Sequence, residues 1–284
     1  MIIKNKRLTV TLQRPGSVYR RSRFDWGAIV SSVILDDNVN FCSKEATGDN
    51  LGTEGTGLTF EFGINKAVGY DEAKPGEFFP KIGVGFLKRE SQDDYDFFHD
   101  YEIKPVDISV KQDENVHFSQ QSPILNGYGW ILDRSISINE NHLVIDTSLK
   151  NSGEKRIITN EYCHNFLKLG ENPVDASYLL SMNREVRLSE SKGVVQHGKN
   201  SISPDGAPDS WLYCATEKID DSGEFHWKLT HQESGISVGC EEKFNVSRFA
   251  LWGMKHVISP EFFIEIDLKP QESLAWSRCY SFEK

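Results

Sequence analysis

A carboxylate, a phenol, a thiol, an imidazole and two amides are crowded into the stretch Thr159-Asn160-Glu161-Tyr162-Cys163-His164-Asn165-Phe166-Leu167. The stretch otherwise reads as an extended strand, and strands of β-proteins usually alternate apolar and polar residues without such a cluster. Groups able to move protons or bind hydroxyls at this density suggest a site for a polar, uncharged ligand such as a sugar. Neighbours along a strand point to opposite faces. Cys163 and His164 are therefore not a thiol–base pair, and Glu161 is not the carboxylate partner of His164 unless a bulge intervenes. Tyr162, His164 and Phe166 share one face.

Other residues carry chemistry elsewhere in the chain. His99 lies among aromatics in Phe97-Phe98-His99-Asp100-Tyr101. Glu261 follows Ser259-Pro260, where proline forces an extended or turn entry into a strand. It reads first as a surface glutamate, since acids are rarely buried; the sharper alternative is a glutamate at a strand mouth, beside Phe262 and Phe263, with its pKa raised to accept protons. The run Arg20-Arg21-Ser22-Arg23 reads first as a charged, solvated edge. The sharper alternative is an anion pocket, because guanidinium binds phosphate or carboxylate bidentately. His117, His142, His197, His226 and His231 are scattered among polar neighbours and expected at the surface. No HxH or HExxH spacing offers a metal site. The glycine-rich stretch Gly48 to Gly57 runs into a strand and lacks a phosphate-loop lysine, so it reads as a connection.

The elements that must position these groups are strands. Leu8 to Leu12, Ile29 to Leu35, Leu58 to Ile64, Ile82 to Leu87, Ile103 to Val110, Trp130 to Ile138, His142 to Leu149 and Trp211 to Ala215 are rich in branched or aromatic residues. Near the C-terminus Phe262, Ile264, Ile266 and Leu268 fall on one face, with Glu261, Phe263, Glu265 and Asp267 on the other. Pro173 to Glu185 is expected to carry a short helix at most. Many short strands separated by turn residues imply one large antiparallel β-sandwich over residues 1–284.

The formal charge of -10 argues against nucleic acid and against an anionic membrane as partner. Five widely spaced cysteines without a CxxC pair fit reduced thiols. No signal peptide or long apolar run is evident. The expectation is a cytoplasmic monomer or homodimer acting on a small-molecule carbohydrate.

Several segments together resemble the aldose 1-epimerase (galactose mutarotase-like) superfamily, in order over most of the chain. Tyr19 to Val33, including Arg23-Phe24-Asp25-Trp26-Gly27, looks like its opening hairpin. Gly55 to Gly63 and Lys81-Ile82-Gly83-Val84-Gly85 are similar to segments of its uncharacterised relatives. Thr159 to Leu167 resembles the strand bearing a catalytic histidine. Lys269-Pro270-Gln271-Glu272-Ser273, with Trp276 and Tyr280-Ser281-Phe282, is similar to the closing segment. Where the family carries His-Gly-Gly, this chain reads His99-Asp100-Tyr101.

The resemblance implies a β-supersandwich that interconverts sugar anomers without a cofactor. A glutamate takes the proton of the anomeric hydroxyl and a histidine protonates the ring oxygen. Carried onto this chain, Glu261 is the base, His164 the acid and His99 the orienting group. Lys81, Asn165, Trp252, Arg23 and Glu161 are candidate substrate contacts. Two alternatives stand beside this expectation: a non-catalytic sugar-binding protein, and a carbohydrate lyase or hydrolase. A hydrolase needs two carboxylates roughly 5–10 Å apart, drawn here from Glu161 or Asp25 with Glu261.

Overall fold

The computed structural model describes residues 1–47, 52–219 and 223–284. Two ten-stranded antiparallel sheets and a three-stranded sheet make up its framework, so the expected large antiparallel β-sandwich is met. Part of the glycine-rich stretch, 48–51, lies outside the described residues.

The first large sheet carries the candidate residues. Its central strands run in the order Val30–Leu35, Leu58–Phe62, Ile157–Asn165, Val257–Leu268, Arg248–Met254, Leu212–Thr216 and Leu188–Lys192. Alternation along them decides what each face does. On Val257–Leu268, Phe262, Ile264, Ile266 and Leu268 are buried on one side, as the period of two requires. Phe262 sits among Phe225, Trp227 and Phe249, with ring centroids 5.0, 5.6 and 5.0 Å away. Phe225 and Trp227 belong to the second large sheet, so this aromatic cluster is part of the apolar layer that joins the two sheets.

Charges also lie in that layer. Glu161 accepts from Arg278 at 2.7 Å and faces Arg134 at 3.4 Å. Arg134 continues to Asp25, and Arg278 to Glu242 at 3.1 Å. All five side chains are buried. Each burial is tolerable only because opposite charges meet along the chain of groups.

Three expected elements differ. Ile82 to Leu87 is not one strand but a reversal between Phe78–Lys81 and Gly85–Lys88. Gly83 takes a φ of 85° there, and a Cβ on it would lie 2.2 Å from the Asp25 carboxylate carbon, so only glycine fits the turn. Ile103 to Val110 breaks into Ile103–Pro105 and Ile108–Gln112, which pair into different sheets. Pro105 has no N–H to extend a ladder. Pro173 to Glu185 holds no helix but the strand Tyr178–Met182, whose alternating burial matches the core beside it. His231, expected at the surface, is buried, with Nδ1 2.8 Å from the Ser234 hydroxyl.

Candidate active site

The strand Ile157–Asn165 lies between Leu58–Phe62 and Val257–Leu268. Its register sets Tyr162 opposite both Glu61 and Phe263, and His164 opposite Thr59. On the far side of Val257–Leu268, Ser259 pairs with Trp252 and Glu261 with Ala250. Alternation therefore brings Tyr162, His164, Ser259, Glu261 and Trp252 to one face, turned away from the layer between the sheets. Pro260 donates nothing to the ladder. Its carbonyl accepts instead from the Asn165 amide, so the strands stay joined where a backbone bond is missing.

His164 and Glu261 meet on this face. His164 Nε2 lies 3.1 Å from Glu261 Oε1. Ser259 Oγ lies 2.8 Å from His164 Nδ1 and donates to Glu261 Oε1 at 3.1 Å. With the serine proton committed to the carboxylate, Nδ1 must be the donor to Oγ, which leaves Nε2 as an acceptor. Nε2 then faces Glu261 Oε1 with its lone pair. Phe166 stacks on the imidazole, with centroids 3.9 Å apart and planes 10° from parallel. Phe24 and Trp252 meet it edge-on at 5.9 and 5.6 Å. The ring plane is thus fixed by packing and the tautomer by Ser259.

Enclosure sets the protonation. Each side chain of the pair is only 7% exposed. Burial pushes Glu261 up to about 8, against the smaller opposing effects of Arg23, Ser259 and Arg248. Burial, aided by the positive charge of Arg23, holds His164 well below the usual histidine range. At neutral pH the pair therefore carries a single proton, resting on the carboxyl.

Beside the pair lies a second buried polar cluster. Arg23 Nε contacts Glu61 Oε2 at 2.9 Å, while its terminal nitrogens donate to Thr53 Oγ1 and the Tyr162 hydroxyl oxygen at 3.0 and 3.1 Å. The Tyr162 hydroxyl donates to Glu61 at 2.6 Å. Lys81 Nζ donates to the Phe62 carbonyl at 2.8 Å and the Tyr95 hydroxyl at 2.9 Å, with Glu61 at 3.4 Å. The Arg23 guanidinium is held between the rings of Phe24 and Phe97, 4.5 Å from each centroid. Arg23 and Lys81 are thus engaged by the protein, and Arg23 acts on the pair as a fixed positive charge.

No protein-family model matches the sequence, and no curated protein matches it significantly. Solved structures do match across its whole length. A galactose mutarotase related enzyme from Lactobacillus acidophilus is 12% identical with a TM-score of 0.61, covering 100% of this chain and 97% of that one. A galactose mutarotase-like protein from Lactobacillus casei is 12% identical at 0.60, covering 100% and 99%. An aldose epimerase homologue from C. elegans is likewise 12% identical at 0.60, covering 100% and 98%. The chain has the galactose mutarotase-like fold.

Within this mutarotase-like fold the other sequence candidates occupy distinct places. Glu161 lies behind the sheet, bound to Arg134 and Arg278. Asp25 is buried against Arg134. Asn165 also faces inward, where its Oδ1 accepts from Tyr280 at 2.8 Å. His99 is half-exposed on the loop before Ile103–Pro105, with Nε2 3.0 Å from Glu90 and its ring edge-on to Tyr101. Among the basic run, Arg20 is exposed, Arg21 half-buried and Arg23 buried.

Ser259 and Glu61 were not among the residues singled out from the sequence. Glu61 had a signal: it is the lone charge in the apolar strand Leu58–Phe62, and charges in such strands need partners. Ser259 had none beyond its place two residues before Glu261. Among the described residues no cluster of histidine, cysteine and carboxylate side chains could hold a metal, and no helix is long and apolar enough to cross a membrane. A separate open groove of about 770 Å³, lined by Ser109, Lys111, His117, Asp146 and Ser277, lies on the second sheet. It contains neither member of the His164–Glu261 pair.

Proposed function

We propose that the protein interconverts the anomers of an aldose by general acid–base catalysis, with Glu261 and His164 as the two proton carriers. The observation that carries this reading is the 3.1 Å approach of His164 Nε2 to Glu261 Oε1 in a nearly closed site. The anomeric hydroxyl oxygen and the ring oxygen of an aldose share one carbon. An acid and a base serving both, each within hydrogen-bond reach of about 2.6–3.2 Å, must therefore be close neighbours. A hydrolytic carboxylate pair needs wider separation, and Glu161 and Asp25 are separated from Glu261 by the sheet, bound to Arg134.

Proton bookkeeping supports the same reading. Ring opening starts with Glu261 as carboxylate and His164 as imidazolium. Glu261 takes the proton from the anomeric hydroxyl as His164 Nε2 delivers one to the ring oxygen. The bond between C1 and the ring oxygen breaks, and C1 becomes an aldehyde. The pair now holds its one proton on Glu261 with a neutral His164, the distribution that burial favours in the free protein. Rotation about C1–C2 and reversal of the two transfers give the other anomer. Direct transfer between Oε1 and Nε2 interconverts the two one-proton forms.

His99 and Trp252 are candidate ring contacts. Trp252 borders the imidazole, and His99 belongs to the loop whose Phe97 covers Arg23. Lys81, Arg23 and Asn165 support the reading indirectly, by holding Glu61, Tyr162 and the strand pairing in place, while Glu161 belongs to the charge network behind the sheet. The test is NMR exchange or polarimetry on freshly dissolved single anomers of a panel of aldoses. Wild type should exceed the buffer rate, and Glu261→Gln and His164→Ala should each lose about 10²–10⁴-fold. A wild-type rate equal to buffer across the panel would leave a non-catalytic sugar-binding protein as the better reading.

A further inference from the structure

The two large sheets end in edge strands on both sides of the sandwich, and the two sides differ. On one side the edges Ile2–Lys4 and Ile108–Gln112 close on each other. Gln112 Nε2 donates to the Ile2 carbonyl at 2.9 Å, and Lys111 Nζ lies 3.3 Å from Asp113. On the other side Leu188–Lys192 ends the first sheet and Val194–His197 the second, with Gly193 between them. Leu188–Lys192 pairs with Leu212–Thr216 along one border, and no described strand pairs with the other. Residues Ser189 to Lys192 are exposed. The outward N–H and C=O groups of this edge are therefore open to a further strand.

Two charges stand on this edge. Alternation puts Glu190 and Lys192 on one face, opposite Ala215 and Tyr213. Neither forms an ion pair with a described residue. Lys192 Nζ is held instead 3.6 Å from the centroid of the Trp211 ring, and that indole is 43% exposed. A two-fold axis perpendicular to a sheet keeps every residue on its own face, so antiparallel pairing of this edge with its copy must centre on one residue. Centred on Glu190 or on Lys192, it would set like charges directly opposite, which destabilises. Centred on Ser191, it sets Glu190 opposite the partner's Lys192, twice by symmetry. The edge is self-complementary in that register alone.

We propose that the protein pairs with a second copy of itself through this edge, antiparallel about Ser191, with Glu190 of each chain against the partner's Lys192. Trp211 stands beside the junction as its aromatic border. The bulge between Leu188 and Glu190 and the turn at Gly193, with a φ of 70°, confine the pairing to a short ladder. So small a contact gives a reversible, concentration-dependent dimer rather than a permanent one. Because the axis preserves faces, the His164–Glu261 sites of both copies open on the same side of the joined sheet.

The test is sedimentation velocity over a concentration series, in which wild type should show a reversible monomer–dimer equilibrium. Glu190→Lys and Lys192→Glu should each raise Kd about tenfold, because each sets two like-charged pairs opposite one another. Mixed in equal amounts, the two variants should dimerise again, since every pair across the mixed junction is then of opposite sign. Mixing would not repair a folding defect. Ser191→Cys, at the axis, should form an intermolecular disulfide on air oxidation that wild type does not form. Wild type that stays monomeric throughout overturns the proposal. So does a dimer whose Kd both charge variants leave within twofold, which places the contact elsewhere, and so does a mixture that fails to dimerise. A dimer that Ser191→Cys leaves without a cross-link overturns the register about Ser191.

Discussion

His164 and Glu261 come from neighbouring strands and meet through side chains alone, Nε2 to Oε1 at 3.1 Å. The backbone ladder between their strands breaks after Tyr162 and Phe263, where Pro260 cannot continue it, and resumes at Leu167 and Ile258. Ser259 closes the contact by bonding both partners. Under the proposed reaction, an acid and a base at this distance exchange one proton between them. The pair, rather than either residue, is the unit that titrates.

The pH dependence of activity follows from that unit. The working pair carries one proton. Above about 8 Glu261 loses it and no acid remains. On the acid side a second proton enters only well below the usual histidine range, because burial and Arg23 oppose it. Anomerisation should therefore hold a plateau through neutrality and fall above a pH of about 8, as read by an NMR pH–rate profile. A rate still rising at pH 9 would contradict the assignment of the proton to Glu261.

Ser259→Ala should separate orientation from chemistry. The hydroxyl donates to Glu261 and keeps its pKa from rising further. Its loss should move the alkaline limb to higher pH. It also frees the imidazole tautomer, so kcat should drop about tenfold with KM little changed. An unchanged profile with an unchanged kcat would mean that Ser259 only fills space.

Stability should carry the signature of Glu261. Its carboxyl is raised from 4.5 in the unfolded chain to about 8 in the folded one. The folded state then binds the proton more tightly, so the stabilisation is complete below the unfolded pKa and is lost as pH rises through about 8. His164, held below 6.5, acts in the opposite sense, but only below that value. Between pH 6.5 and 8 His164 no longer opposes Glu261, whose titration should cost wild type up to about 1.4 kcal/mol per pH unit. Urea unfolding of Glu261→Gln should show a slope shallower by that amount over the interval. Identical slopes in the two proteins would place the titration elsewhere.

Glu161→Gln should be a stability variant. It leaves Arg134 and Arg278 facing a neutral amide in the layer between the sheets. Breaking a buried charge network costs about 3–5 kcal/mol, visible as a lower urea midpoint. Anomerisation per folded molecule should fall far less than in Glu261→Gln. An equal loss of activity would bring Glu161 into the chemistry.

Much of this was legible in the chain itself, and the reason is periodicity. Alternation alone separated Glu161 from His164 and grouped His164 with Tyr162 and Phe166, because side-chain direction on a strand is local geometry. Branched and aromatic runs located most strands for the same reason. The boundaries that went astray were set by contacts beyond the run. Gly83 lies in a reversal that only glycine fits beside Asp25, and the stretch from Ile103 to Val110 divides because its halves pair in different sheets.

The sequence by itself thus determined a β-sandwich and the face of His164; the glutamate it set at a strand mouth after proline stands instead inside the strand Val257–Leu268. Only the tertiary structure decided that this glutamate stands beside that imidazole, since the pairing of distant strands is not written in either one. It likewise decided that Arg23, and not Arg20 or Arg21, is drawn inside. The cause is Glu61 together with Tyr162, which supply its hydrogen bonds from strands far along the chain, and a buried guanidinium is stable only where such partners wait.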